Sequence, residues 1–128
     1  MIVADSSVWL AYQRDPASDI GREFELLLTA DSIAMLGPIM AEILQGSRSD
    51  GEFNFYVNRL DGLRFLDTDQ QTWFRVGDLG YQLQSRGDTV PFADLVIAAL
   101  AIQNRLPVFT LDQDFRRIPG LDLYEPAH

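Results

Sequence analysis

Residues 91–100 read PFADLVIAAL, and apolar residues continue through Ala101 and Ile102. A helix over FADLVIAALAIQNR is apolar on every face from Leu95 onward, so it has to be enclosed on every side. The one charge in its first turn is Asp94. A carboxylate beside such a segment is costly to remove from water unless something offsets its charge. This helix therefore demands other elements packed around it and a partner for Asp94.

The rest of the chain supplies those elements by alternating short apolar runs with longer amphipathic ones. MIVAD predicts a first strand ending at Asp5, and Ser6 or Ser7 is placed to cap a helix over SVWLAYQRD. DIGREFELLLTA predicts a helix over residues 19–30, and SIAMLG a short strand. Pro38 suits a first helical position, and PIMAEILQG ends at Gly46. GEFNFYVNRLDG predicts a helix and RFLD a strand. TWFRVGDLGYQLQSRG predicts a helix weakened by Gly77 and Gly80. DTVP is a loop before the apolar helix, PVFTLD a strand, DFRRIPG a short helical turn and LDLYEP a last strand. Strands alternating with helices imply an α/β fold: three layers, with a mostly parallel central sheet flanked by helices. With no linker or repeat, residues 1–128 are expected to form a single domain.

Absent residue types narrow the chemistry. All ten basic residues are arginine, there is no cysteine, and the one histidine is His128. Schiff bases, P-loop lysines, histidine triads, thiolates and imidazole metal sites are excluded. Carboxylates remain, and their hard oxygens suit Mg²⁺ or Mn²⁺. No apolar run approaches the ~18 residues of a membrane span. MIVADSS lacks the basic region of a signal peptide, so the cytoplasm is the expected compartment. The net charge of −9 favours solubility and, taken alone, opposes nucleic-acid binding.

Five acids fall where an open parallel sheet builds its sites, outside the carboxyl ends of the strands. Asp5 ends the first strand, Glu42 lies in the first turns of the helix after the second strand, and Asp94 is in the first turn of the apolar helix. Asp112 ends PVFTLD and Asp114 follows two residues later. Each has an ordinary structural explanation as a cap, a helix-dipole acid or a turn former. Their joint position on one edge is the stronger signal. Two carboxylates ~6 Å apart at an effective dielectric of ~20 repel by roughly 3 kcal/mol. That is about two pKa units for one of them. A divalent cation relieves this repulsion and offsets the cost of Asp94. It also lowers the pKa of a bound water, which a carboxylate can then position or deprotonate.

The same residues resemble a known family. MIVADSSVWLAY is similar to the opening of PIN-domain ribonucleases of the VapC toxin type, AEILQG to their second motif, GDTVPFADLVIAALA to their third and FTLDQDFRRIPGL to their last. The four occur in the family's order across residues 1–124. The resemblance implies a PIN-like fold and a Mg²⁺-dependent endoribonuclease, with Mn²⁺ as an alternative ion. It implies the toxin half of a toxin–antitoxin pair that forms a homodimer, binds a cognate antitoxin and cleaves structured RNA such as tRNA or rRNA. By position, Asp5, Glu42, Asp94 and Asp112 become the catalytic acids. Asp5, Asp94, Asp112 and Asp114 become the metal set, with Asp114 either a direct ligand or one step removed. Ser7 and Thr110 become supporting hydrogen-bond partners. RNA phosphates would fall to arginines; Arg14, Arg48 and Arg86 are the candidates because they lie in loops or helix ends near the motifs, with solvated surface charge as the other reading.

Rival α/β readings fit less well. A receiver-type phosphoacceptor needs a late lysine, and a haloacid-dehalogenase-like phosphatase needs Asp-x-Asp after the first strand, where this chain has Asp5, Ser6 and Ser7. The alternative that survives is a non-catalytic PIN-like module that binds a partner. Phe53, Phe55, Tyr56 and Leu60 in residues 51–60, with parts of 19–30, form the expected self-association surface or, on the other reading, complete the monomer core.

Overall fold

The computed structural model describes residues 1–127. Its elements run β1 (Ile2–Ala4), α1 (Ser6–Arg14), α2 (Asp19–Thr29), β2 (Ile33–Leu36), α3 (Gly37–Gln45), α4 (Asp50–Asp61), β3 (Arg64–Leu66), α5 (Gln70–Ser85), α6 (Phe92–Gln103) and β4 (Val108–Phe109). A 3-10 turn follows at Gln113–Arg117. The sheet is wholly parallel, in the order β3-β2-β1-β4. The chain moves outward from β1 through β2 to β3 and then returns to place β4 on the other side of β1. The switch point of the sheet is therefore the crevice between β1 and β4, where such folds bind ligands.

Helix α6 is enclosed as its sequence demands: every residue from Leu95 to Ala101 is buried. The inner strands β1 and β2 are buried along their length, as sheets covered on both faces require. Helix α5 packs along α6. It stays continuous through Gly77 and Gly80, and the second glycine has a packing reason. A Cβ at Gly80 would lie 3.3 Å from Leu95 Cδ1.

Three local expectations need correction. The cap of α1 is Asp5 rather than Ser6 or Ser7: its carboxylate accepts the Ser7 N–H and the helix begins at Ser6. The strand expected over PVFTLD stops at Phe109, because the next backbone donors turn to side chains. The Leu111 N–H donates to Ser7 Oγ and the Asp112 N–H to Thr110 Oγ1. The strand expected over LDLYEP shrinks to one parallel bridge between Leu123 and Val108, held by the Val108 N–H on Asp122 O and the Tyr124 N–H on Val108 O. Pro126, two residues on, has no N–H with which to extend it.

Gly21 sits in the first turn of α2, with its N–H on Ser18 Oγ at 3.0 Å. A Cβ there would lie 2.6 Å from the carbonyl oxygens of both Asp15 and Pro16. Helix propensity favours Gly21→Ala by up to ~1 kcal/mol, but backbone must move to admit the methyl, at a cost of about 1–3 kcal/mol. Urea unfolding should show a net loss of about 1–2 kcal/mol. Gly77→Ala, which meets nothing within 4 Å, should be neutral or gain up to ~1 kcal/mol. Equal effects at the two positions would contradict this packing.

Candidate metal centre

Asp5 lies one residue past β1 and is only 5% exposed. Both its oxygens are fixed. Oδ1 accepts the Ser7 N–H at 3.1 Å and the Ser7 hydroxyl at 2.5 Å, while Oδ2 accepts the Thr110 hydroxyl at 2.7 Å. The Asp5 N–H donates to Phe109 O at 3.1 Å. The first motif is thus sewn to the last across the switch point. Burial pushes the Asp5 carboxyl above the usual carboxylate range, and the hydrogen bonds from Ser7, Thr110 and the backbone only partly counter it.

Beyond β4 a relay of short hydrogen bonds sets the other acids. Thr110 Oγ1 accepts the Asp112 N–H at 2.9 Å, and Asp112 Oδ1 accepts the Asp114 N–H at 2.9 Å. Asp112 thereby caps the 3-10 turn that carries Asp114. Asp94 arrives from the opposite direction on the first turn of α6. Asp94, Asp112 and Asp114 each present one carboxylate oxygen, all three within 4.8 Å of one another.

The electrostatics gather all five acids around Asp94. Its carboxyl is pushed up to about 6, first by burial and then by the charges of Asp112, Asp5, Glu42 and Asp114. Glu42, in the second turn of α3, is exposed. Its carboxyl is nonetheless raised, first by partial loss of water and then by Asp5. Like charges held this close favour a proton or a cation. Three hard oxygens converging without histidine or cysteine fit Mg²⁺ or Mn²⁺.

The arginines divide. Arg14 ends α1 and Arg48 lies in the α3–α4 connection; both are exposed, and neither forms an ion pair among the described residues. Arg86 caps the C-terminus of α5 and faces Asp88 at 3.9 Å. Sequence reasoning missed Arg117, which reaches Asp114 Oδ1 at 2.5 Å. The signal was available in the i,i+3 spacing, since side chains three apart eclipse in a 3-10 turn. The apolar surface divides as well: Tyr56 and Leu60 complete the core, while Phe53, Phe55 and Val57 are exposed. A second exposed aromatic group on α5 and α6, where Trp73 stacks on Phe92, was not anticipated.

A three-layer parallel α/β domain with acids closing over the β1–β4 crevice is the arrangement of a PIN domain, and the family's profile matches residues 2–121. The chain belongs to the PIN-domain family, among its VapC ribonucleases. Ribonuclease VapC11 of Mycobacterium tuberculosis is 35% identical over 119 residues, covering 90% of this chain and 89% of that protein. Ribonuclease VapC18 of the same species is 26% identical over 121 residues, covering 91% and 86%. VapBC2 from Rickettsia felis, in a crystal structure with a DNA fragment from their promoter, superposes with a TM-score of 0.81 at 25% identity, over 97% of this chain and 98% of that one.

Proposed function

We propose that this chain is a metal-dependent endoribonuclease, the toxin of a toxin–antitoxin pair, that cleaves structured RNA of the tRNA or rRNA kind. The observation that carries this reading is the convergence of Asp94, Asp112 and Asp114 within 4.8 Å at the sheet's switch point. Relatives named as ribonucleases support it.

Asp94, Asp112 and Asp114 would hold Mg²⁺ or Mn²⁺, with Asp5 beside them as an acid locked in one orientation. When bound, such an ion supplies a water of lowered pKa and offsets charge on a phosphoryl oxygen. Ser7 and Thr110 hold Asp5 and the start of the Asp112 segment, so the acids meet substrate already oriented. Glu42, exposed and with a raised pKa, would accept a proton from the attacking water at its carboxylate. Arg14, Arg48 and Arg86 remain the arginines assigned to RNA phosphates.

An antitoxin partner is supported by the toxin–antitoxin complexes among the solved neighbours, including VapBC2. Self-association is assigned to exposed Phe53, Phe55 and Val57 with Leu26. Among the described residues no helix is long and apolar enough to cross a membrane, and we place the activity in the cytoplasm.

Mapping RNA 5′ ends after expression, with Asp94→Asn as control, tests the function directly: new ends in the wild type alone support it. Metal binding is tested by melting. Mg²⁺ or Mn²⁺ at about a hundredfold excess over its Kd should stabilise the fold by roughly 2.7 kcal/mol, and Asp112→Asn should remove the gain. A flat titration into the millimolar range would count against the carboxylate set.

A further inference from the structure

Arg117 joins the two segments that bring Asp94 and Asp114 together. Its Nη2 lies 2.5 Å from Asp114 Oδ1, and its Nη1 lies 3.8 Å from Asp88 Oδ1. Asp88 stands in the loop that leads from α5 into α6, six residues before Asp94. Arg86, at the start of the same loop, faces Asp88 at 3.9 Å and donates from Nη2 to the Arg117 backbone O at 3.1 Å. The 3-10 turn is therefore fastened to the α5–α6 loop at two points, one through a side chain and one through the backbone. Asp114 is in turn fixed by its own N–H on Asp112.

We propose that Arg117 is a positioning residue for metal binding: by clamping one oxygen of Asp114 and gripping Asp88, it keeps Asp114 within ligand distance of Asp94 and Asp112. This rests on the metal-nuclease reading above. Arginine suits the task because its planar fork serves two carboxylates at once and never loses its charge. Simple electrostatics points the other way. Removing a cation from the rim of five acids makes the cluster more negative and should tighten metal binding. Positioning predicts weaker binding, so the sign of the change separates the two.

The test is Mn²⁺ titration calorimetry on the full chain without RNA, comparing wild type with Arg117→Gln, Arg117→Lys and Asp88→Asn. Arg117→Gln should weaken Mn²⁺ by about threefold to tenfold. That is at or below the low end of the ~10–100-fold that partners of metal ligands contribute, because the side chains of Arg117 and Asp114 both face solvent. Arg117→Lys should recover part of the loss, and Asp88→Asn should weaken Mn²⁺ less than Arg117→Gln does. Metal-free melting temperatures should stay within a few degrees of wild type. Unchanged or tighter binding in Arg117→Gln overturns the positioning role and leaves the nuclease reading standing. A wild-type chain that binds no Mn²⁺ overturns both. Should Arg117→Gln fold poorly, Arg117→Lys decides: it keeps the charge, so weaker Mn²⁺ binding there supports positioning and unchanged binding overturns it.

Discussion

Asp94→Asn is expected to abolish RNA cleavage, by more than about a hundredfold, while making the metal-free protein more stable. Losing a proposed ligand should exceed the ~10–100-fold typical of groups one step removed. The gain in stability follows from the crowding of acids. Folding raises the Asp94 pKa from 3.8 to about 6, so the folded state holds this proton more tightly than the unfolded chain does. The contribution of Asp94 is thus undiminished below about pH 4, is lost as pH rises toward 6, and stays lost above it. A shift of about two units, discounted for the solvent that reaches this side chain, costs on the order of 1–2 kcal/mol at neutral pH. Asparagine keeps the shape without the charge. Thermal melts without metal should place the variant a few degrees above wild type at pH 7.5 and level with it at pH 4. Cleavage by the variant, or identical melts across the range, would remove Asp94 from the cluster.

Thr110→Val is expected to cost about 10–100-fold in cleavage from a group that is itself no ligand. The threonine hydroxyl does two jobs: it donates to Asp5 Oδ2 and accepts the Asp112 N–H. Valine has nearly the same shape and can do neither. Asp5, buried and already short of water, loses the partner of one oxygen, and the backbone approaching Asp112 loses its anchor. An unsatisfied buried group costs about 1–3 kcal/mol, so a lower melting temperature should accompany the lost activity. Thr110→Ser restores the hydroxyl and should restore most of the rate. Wild-type cleavage by the valine variant would show that the two motifs are held together by other means.

The architecture was legible because its signals were periodic or compositional. An all-apolar helix at 95–101 can only be interior, and alternating strands and helices leave few topologies. The five acids were legible because strand ends and helix starts are positions a sequence reveals. Less visible was the competition between side chains and backbone for hydrogen bonds. VFTLD looks like continuous strand, yet Ser7 and Thr110 intercept the donors of Leu111 and Asp112. That interception both ends β4 and creates the site. Of the two partners of Arg117, Asp114 could be read from its i,i+3 spacing, but Asp88 lies across α6 and β4 and only the tertiary fold brings it near. Phe53, Tyr56 and Leu60 lie on one short helix, and only its docking angle decides that the first is exposed and the other two buried.

The hydroxyl that locks Asp5 comes from 105 residues downstream, and this separation has a consequence for timing during synthesis. Synthesis runs from the N-terminus, so Asp5, Glu42 and Asp94 are all made before Thr110, Asp112 and Asp114, and a domain folds as a unit. The centre closes only when β4 slides in beside β1 and brings Thr110, Asp112 and Asp114 with it. A message cut short between Asp94 and Val108 therefore yields a fragment with Asp5, Glu42 and Asp94 but no β4, Asp112 or Asp114. The proposed metal set is therefore complete only once translation has passed Asp114.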